Sequence, residues 1–148
     1  MKDISRFLTA QEKSYPNALE EVKKGKKTSH WIWYIFPQIK GLGYSPTSNY
    51  YGIEDLDEAK EYLENDILHN RLIEISQALL NLNGLSAREI FGSIDAQKVK
   101  SSMTLFHIAN PNEEVFKQVL DKYYDGVLDE NTIEKLHTVP YQKQKGCK

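Results

Sequence analysis

Three groups of residues in this chain carry side chains suited to chemistry. In the first, His30 stands beside Trp31, Trp33 and Gln38. An imidazole gives or takes a proton near neutral pH, a carboxamide orients a ligand through a donor and an acceptor, and indole rings stack on planar molecules. In the second, Gly41, Gly43 and Ser45 precede Pro46. Glycines let the backbone approach a ligand, and a helix start offers N–H groups to an anion. In the third, Lys98 is followed by Ser101, Ser102 and Thr104. Lys98 and Ser102 are one helical turn apart, the spacing of a lysine-activated hydroxyl nucleophile. The residue types therefore nominate His30, Lys98 and Ser102 as catalytic candidates. Trp31, Trp33, Gln38, Gly41, Gly43, Ser45, Ser101 and Thr104 are the candidates for ligand contact.

Each group also has a purely structural reading. His30 is equally suited to a cap or a satisfied core position, the tryptophans to the core, and Gly41 with Gly43 to a turn. Hydroxyls in a buried helix bond the carbonyl one turn back, and Lys98 is placed to pair with Asp95. No metal site is predicted: His30, His69, His107 and His137 are scattered, and no acidic cluster with ligand spacing occurs. The carboxylate pairs Glu54/Asp55, Asp57/Glu58 and Glu113/Glu114 fall around helix starts, where negative charge favours the helix dipole. Gly25-Lys26-Lys27-Thr28 looks like the end of a phosphate loop but lacks the upstream glycine and the preceding strand. It reads instead as a solvated helix terminus.

The elements that must position these groups are helical. Asp3 caps a first helix, with Ile4, Phe7, Leu8 and Gln11 on one face; Pro16 is expected to interrupt it and open a second helix through Lys24, with Ala18, Leu19 and Val22 buried. The stretch His30 to Gly52 holds seven of the sixteen aromatic residues and one formal charge, Lys40, so it must be largely buried. Trp31 to Phe36 is apolar throughout, which leaves a short helix and a buried strand both open until Pro37 ends it. Ser45-Pro46 signals a short helix to about Gly52. Further helices are predicted over 57–64, from Asp66 to Asn83-Gly84, and from Ser86 to Phe91. Another covers Ile94 to Ala109, apolar on two faces, and the last two run to Tyr124 and over 129–136. The helix beginning at Asp66, with Leu68, Leu72, Ile75, Leu79 and Leu82 in register, is expected to be the backbone of the core.

No alternating β pattern longer than about four residues appears, so the expected fold is all-α. It is a compact single-domain multi-helix bundle over 1–138 with one irregular aromatic and glycine-rich segment, followed by a flexible polar tail over 139–148. At 148 residues no second core is required. A formal net charge of -2 gives no global field for nucleic acid or an anionic membrane. No run approaches the roughly 20 apolar residues of a membrane span. The N-terminus lacks the features of a signal peptide, so the cytoplasm is the expected compartment. Cys147, the one cysteine, allows no intrachain disulfide and is expected to be an exposed thiol.

With these residues in view, the run His30-Trp31-Ile32-Trp33-Tyr34-Ile35-Phe36-Pro37-Gln38, followed by Gly41-Leu42-Gly43-x-Ser45, resembles the signature of the bacterial domain-of-unknown-function family numbered 1810. Tyr51-Gly52-Ile53, Glu58-Ala59 with Tyr62-Leu63, Arg71-Leu72, Ile90-Phe91-Gly92 and Lys98 through Ser101-Ser102-Met103-Thr104-Leu105-Phe106 continue the likeness in order. The resemblance covers roughly residues 3 to 138. It implies a compact, mainly helical, single-domain cytosolic protein and brings neither a reaction nor catalytic residues.

Two functions from different classes follow. The leading one is a pocket for a small polar metabolite, aromatic or phosphorylated, such as a nucleotide derivative; the chemistry its residues suit is hydrolysis or group transfer with His30 as acid or base. The alternative is a protein-interaction module anchored by Tyr44, Tyr50 and Tyr51. The sequence names no cofactor and no oligomeric state, and a nucleic-acid role is disfavoured by charge.

Overall fold

A computed structural model describes residues 3–145, with side chains through residue 137. Among the described residues nine helices follow in order: α1 (Ser5–Lys23), α2 (Ile32–Ile35), α3 (Pro46–Tyr51), α4 (Leu56–Glu64), α5 (Asp66–Leu80), α6 (Ala87–Phe91), α7 (Ser93–Ala109), α8 (Glu114–Tyr124) and α9 (Glu130–Lys145). The fold is all-α, as the periodicity predicts. Cys147 lies outside the described residues. Among the described residues no helix is long and apolar enough to cross a membrane.

Local signals explain most boundaries. Ser45 caps α3 by accepting the Ser48 N–H at 3.0 Å, with Pro46 in the first turn. Ser86 and Glu89 close a reciprocal capping box on α6, and Gly92 ends that helix at φ 81°. The α4 cap is Asp55, two residues before the expected Asp57, and its carboxylate accepts the Glu58 N–H. Asn65 caps α5, which ends at Leu80, short of Asn83-Gly84. α9 continues to Lys145 where its apolar pattern predicted an end at Leu136; the expected tail falls largely on residues whose side chains are not described.

Pro16 does not interrupt α1. The helix runs through it, with Phe7, Gln11, Tyr15, Ala18 and Val22 buried along one side. An internal proline removes one backbone hydrogen bond and costs about 3 kcal/mol in isolation. Here the stripe on both sides of it packs against α5, and burial outweighs that local cost.

The element at the centre is α7 rather than α5. It packs against α2, α4, α6, α8 and α9. Val99, Met103, Leu105 and Phe106 are all fully buried, so two apolar faces meet different neighbours. α5 lies to one side between α1 and α8, and also meets α4. Around Tyr62 the core is aromatic, with Phe7 and Phe106 rings 5.2 and 5.0 Å away.

The segment from Trp31 to Ile53 resolves the helix-or-strand ambiguity with a single helical turn and an isolated bridge. Pro37 follows α2, and Ile39 then pairs in parallel with Ile53. The Lys40 N–H donates to the Ile53 carbonyl and the Ile53 N–H to the Gln38 carbonyl, each at 2.8 Å. These bonds close residues 40–52 into a loop that contains α3. Gly52 is required there, since a Cβ on it would sit 2.8 Å from the Lys40 Cα. A buried arginine secures the same region from outside. Arg6 binds both Glu58 carboxylate oxygens at 2.9 and 3.1 Å and donates to the carbonyls of Asp3, Tyr50 and Gly52.

Candidate functional site

Where the closed loop meets α7 and the start of α9, the surface folds into a cleft of about 360 Å³. Trp33, Gln38, Leu42 and Gly43 form one wall. Ile94, Gln97, Lys98 and Ser101 supply a second from α7, and Asp129 with Asn131 closes the third side. The volume falls near the lower end of the range for small-molecule sites.

Each wall is held by identifiable bonds. The Lys98 ammonium lies 3.8 Å from the Trp33 ring centroid and 3.3 Å from Asp95 Oδ1. Asp129 is buried, and its carboxylate is a four-donor hub: Gln97 Nε2 donates to Oδ1 at 2.9 Å, while the Ser101 hydroxyl, the Thr132 N–H and the Thr132 hydroxyl lie 3.0, 3.0 and 2.6 Å from Oδ2. Thr104 accepts the Asp129 N–H at 2.9 Å and donates to the Lys100 carbonyl at 2.8 Å. The start of α9 is thereby fixed against α7, and the polar floor of the cleft has no mobile side chain.

Behind the cleft, a second carboxylate fixes the entrance to the aromatic segment. Glu21 accepts the Thr28 and Ser29 N–H groups, the Ser29 hydroxyl, the Asn17 amide and the Trp31 indole N–H, at 2.6 to 3.0 Å. Burial acts to raise its pKa. The hydrogen bonds from Ser29, Thr28 and Trp31 outweigh that and hold it down at about 2, against an ordinary 4.5. Lys27, expected as part of a solvated helix end, is instead buried at 7% side-chain exposure, 2.8 Å from Asp95 Oδ2 and 5.1 Å from the Trp31 ring centroid.

Of the eleven residues nominated by sequence, the cleft gathers Trp33, Gln38, Gly43, Lys98 and Ser101. The remaining six stand elsewhere. Trp31 is 1% exposed and packs its ring against Phe36 and Phe91, so it is core and cannot stack on a ligand. His30 is exposed on the bend before Trp31 and is not among the cleft residues. Ser102 is fully buried and its hydroxyl has no hydrogen-bond partner among the described residues. The Lys98–Ser102 pair is therefore not formed: Lys98 turns to Asp95 and Trp33 on one side of α7 while Ser102 faces the core. Thr104 is a positioning residue beneath Asp129, and Ser45 is spent on its cap. Gly41 adopts φ 102° beside the Lys135 side chain of α9. A separate, more open depression of about 1300 Å³ lies between α1, the end of α3 and α4, lined by Arg6 and a set of carboxylates; it contains none of the nominated residues.

Sequence reasoning missed Asp129, Gln97, Asn131, Leu42 and Ile94 at the cleft. Asp129 carried a signal, since it precedes the last helix and has Thr132 three residues on, the pattern of a cap. Nothing local indicates that Gln97, Ser101 and Asp129 meet.

A cleft walled by one aromatic segment and one central helix is thus the place where a compact all-α domain brings candidate residues for ligand contact together. The family model described as a protein of unknown function (DUF1810) matches residues 1–136, and the chain belongs to that family. The crystal structure of the conserved hypothetical protein Rv1873 from Mycobacterium tuberculosis is similar to it, with 43% sequence identity and a TM-score of 0.89 over 90% of this chain and 96% of that chain. No curated protein matches the sequence.

Proposed function

We propose that the protein binds a small polar metabolite with a planar group in the cleft between Trp33, Lys98 and Asp129. The observation that carries this reading is convergence. Residues nominated for their chemistry on two segments about sixty positions apart line one concavity. Their polar groups also differ in role. Those of Asp129, Gln97 and Ser101 bond to one another and form a rigid floor, whereas no partner of the Gln38 or Asn131 side-chain amides occurs among the described residues. Preorganised walls with a few convergent polar groups are the general design of a ligand site. Hydrolysis or group transfer fits less well than binding. His30 is not among the lining residues, and the Asp129 carboxylate is committed to holding Gln97, Ser101 and Thr132 in place.

The interaction-module reading retains two observations, the 90% exposure of Tyr44 in the loop and the 47% exposure of Tyr50. Its third member is committed elsewhere: the Tyr51 ring packs on Phe7, Tyr34 and Tyr50.

The test is a thermal-shift screen against nucleotides, nicotinamide compounds, sugar phosphates and amino acids, run beside Gln38→Ala and Asn131→Ala. A compound that raises the melting temperature of the parent protein and loses its effect in both folded variants supports the cleft. A shift unchanged in both would place binding elsewhere, and a shift lost only in Tyr44→Ala would favour the exposed loop.

A further inference from the structure

We infer that the ligand presents an oxyanion, a carboxylate or a phosphate, to the Lys98 ammonium. This rests on the small-molecule reading of the cleft and adds the charge of what enters it. Two ammonium groups, those of Lys27 and Lys98, share the single carboxylate of Asp95. The sharing is unequal. Lys27 has the shorter contact, 2.8 Å against 3.3 Å, and its side chain is 7% exposed against 22% for Lys98. Lys27 therefore satisfies Asp95 from the interior, and Lys98 is the partner left with positive charge and unused N–H donors at the cleft.

Beyond the shared Asp95, no residue of the cleft forms an ionic bond to Lys98 among the described residues. Trp33 offers Lys98 a ring face at 3.8 Å, which attracts a cation but accepts no ionic bond. Asp129, the other charged residue of the cleft, keeps its negative charge because its four donors are neutral, but its bonds go to Gln97, Ser101 and Thr132, and no Lys98–Asp129 ion pair forms among the described residues. A cationic ligand would meet Lys98, and the one carboxylate left to it, Asp129, has only its Oδ1 with acceptor capacity beyond a single bond from Gln97. The Lys27–Asp95–Lys98 set by itself carries one positive charge, which an anion seated on Lys98, away from the Asp129 carboxylate, would balance. Lysine acts as a point charge toward oxyanions, which sets no requirement for two-pronged geometry. The amides of Gln38 and Asn131 supply donors on the opposite walls, and Trp33 provides an apolar edge for the planar part of the ligand.

The experiment uses matched pairs that differ in charge: AMP with adenosine, and nicotinate with nicotinamide. Each is titrated calorimetrically into the full chain and into Lys98→Gln, Lys98→Arg and Gln38→Ala. The inference expects at least one anion to bind tenfold or more tighter than its neutral partner. It also expects Lys98→Gln to bring that anion to the affinity of the neutral compound, with Lys98→Arg retaining most of the preference. The comparison within the parent protein needs no variant, so it decides even where a substitution impairs folding. Equal binding of both members of each pair, weakened by Gln38→Ala, would overturn the charge inference and leave the cleft reading standing. A preference for the anion that survives Lys98→Gln would also overturn it, since the anion then binds elsewhere. Failure of all four compounds to bind would overturn both readings.

Discussion

At the scale of single residues, two buried carboxylates do different work. Glu21 is held ionised by four N–H donors and one hydroxyl, and its pKa of about 2 lies below the ordinary 4.5. A carboxylate whose pKa is depressed in the folded state contributes stability that is fully present above its unfolded value and lost as pH falls through the folded one. The contribution of Glu21 is therefore complete at pH 7 and disappears between about pH 4.5 and pH 2. Glu21→Gln should destabilise by about 1–3 kcal/mol at neutral pH, with a smaller difference from the parent at pH 3, in urea titrations at the two pH values. Glu58 depends on a partner instead. With Arg6 removed it would remain buried beside an empty site, so Arg6→Ala should cost about 3–5 kcal/mol by the same measurement. Neither arrangement was legible in the chain, because each joins positions whose pairing only the fold defines. What the sequence does show is residue type: Lys98 is placed to pair with Asp95 and does so, and the general tendency of buried helical hydroxyls to bond the carbonyl one turn back holds for Ser101 and Thr104 but not for Ser102.

At the scale of elements, caps were legible because they act within four residues. Ser45 and Ser86 do what their neighbours predict, whereas the start expected at Asp57 gave way to a cap at Asp55, because two aspartates two positions apart offer no local means of choosing between them. Pro16 misled for a related reason: a local penalty is visible in sequence, and the packing that offsets it is not. Replacing it tests that account. Pro16→Ala restores a hydrogen-bond donor in a helix that already exists, and should stabilise the protein by up to about 3 kcal/mol, seen as a raised denaturation midpoint without a changed slope. Gly52→Ala should act in the opposite direction. The added methyl meets the Lys40 backbone at 2.8 Å, so the Ile39–Ile53 bridge must open and the Gln38 wall must move. Loss of ligand affinity together with a lowered melting temperature would show both effects in one variant. Half of the cleft was therefore foreseeable: Trp33, Gln38 and Gly43 from the aromatic and glycine-rich composition, and Lys98 and Ser101 from their residue types on α7. The other half comes from the docking of α9 on α7, for which no local pattern exists.

At the scale of the whole molecule, the cleft joins parts of the chain that fold as one body, so occupancy should stabilise everything at once. A ligand present at a hundred times its dissociation constant adds about 2.7 kcal/mol, which for a domain of this size raises the melting temperature by roughly 5–10 °C. The placement of the two tryptophans has a further consequence. Trp31 is sealed in the core with its N–H on Glu21, and Trp33 stands at the cleft under the Lys98 ammonium. The chain contains no other indole. Its intrinsic fluorescence is therefore the sum of one emitter that reports the integrity of the fold and one that reports the state of the cleft. With Trp33→Phe leaving the first alone and the parent protein showing both, a change in emission on adding a compound can be assigned to occupancy or to unfolding without any attached label.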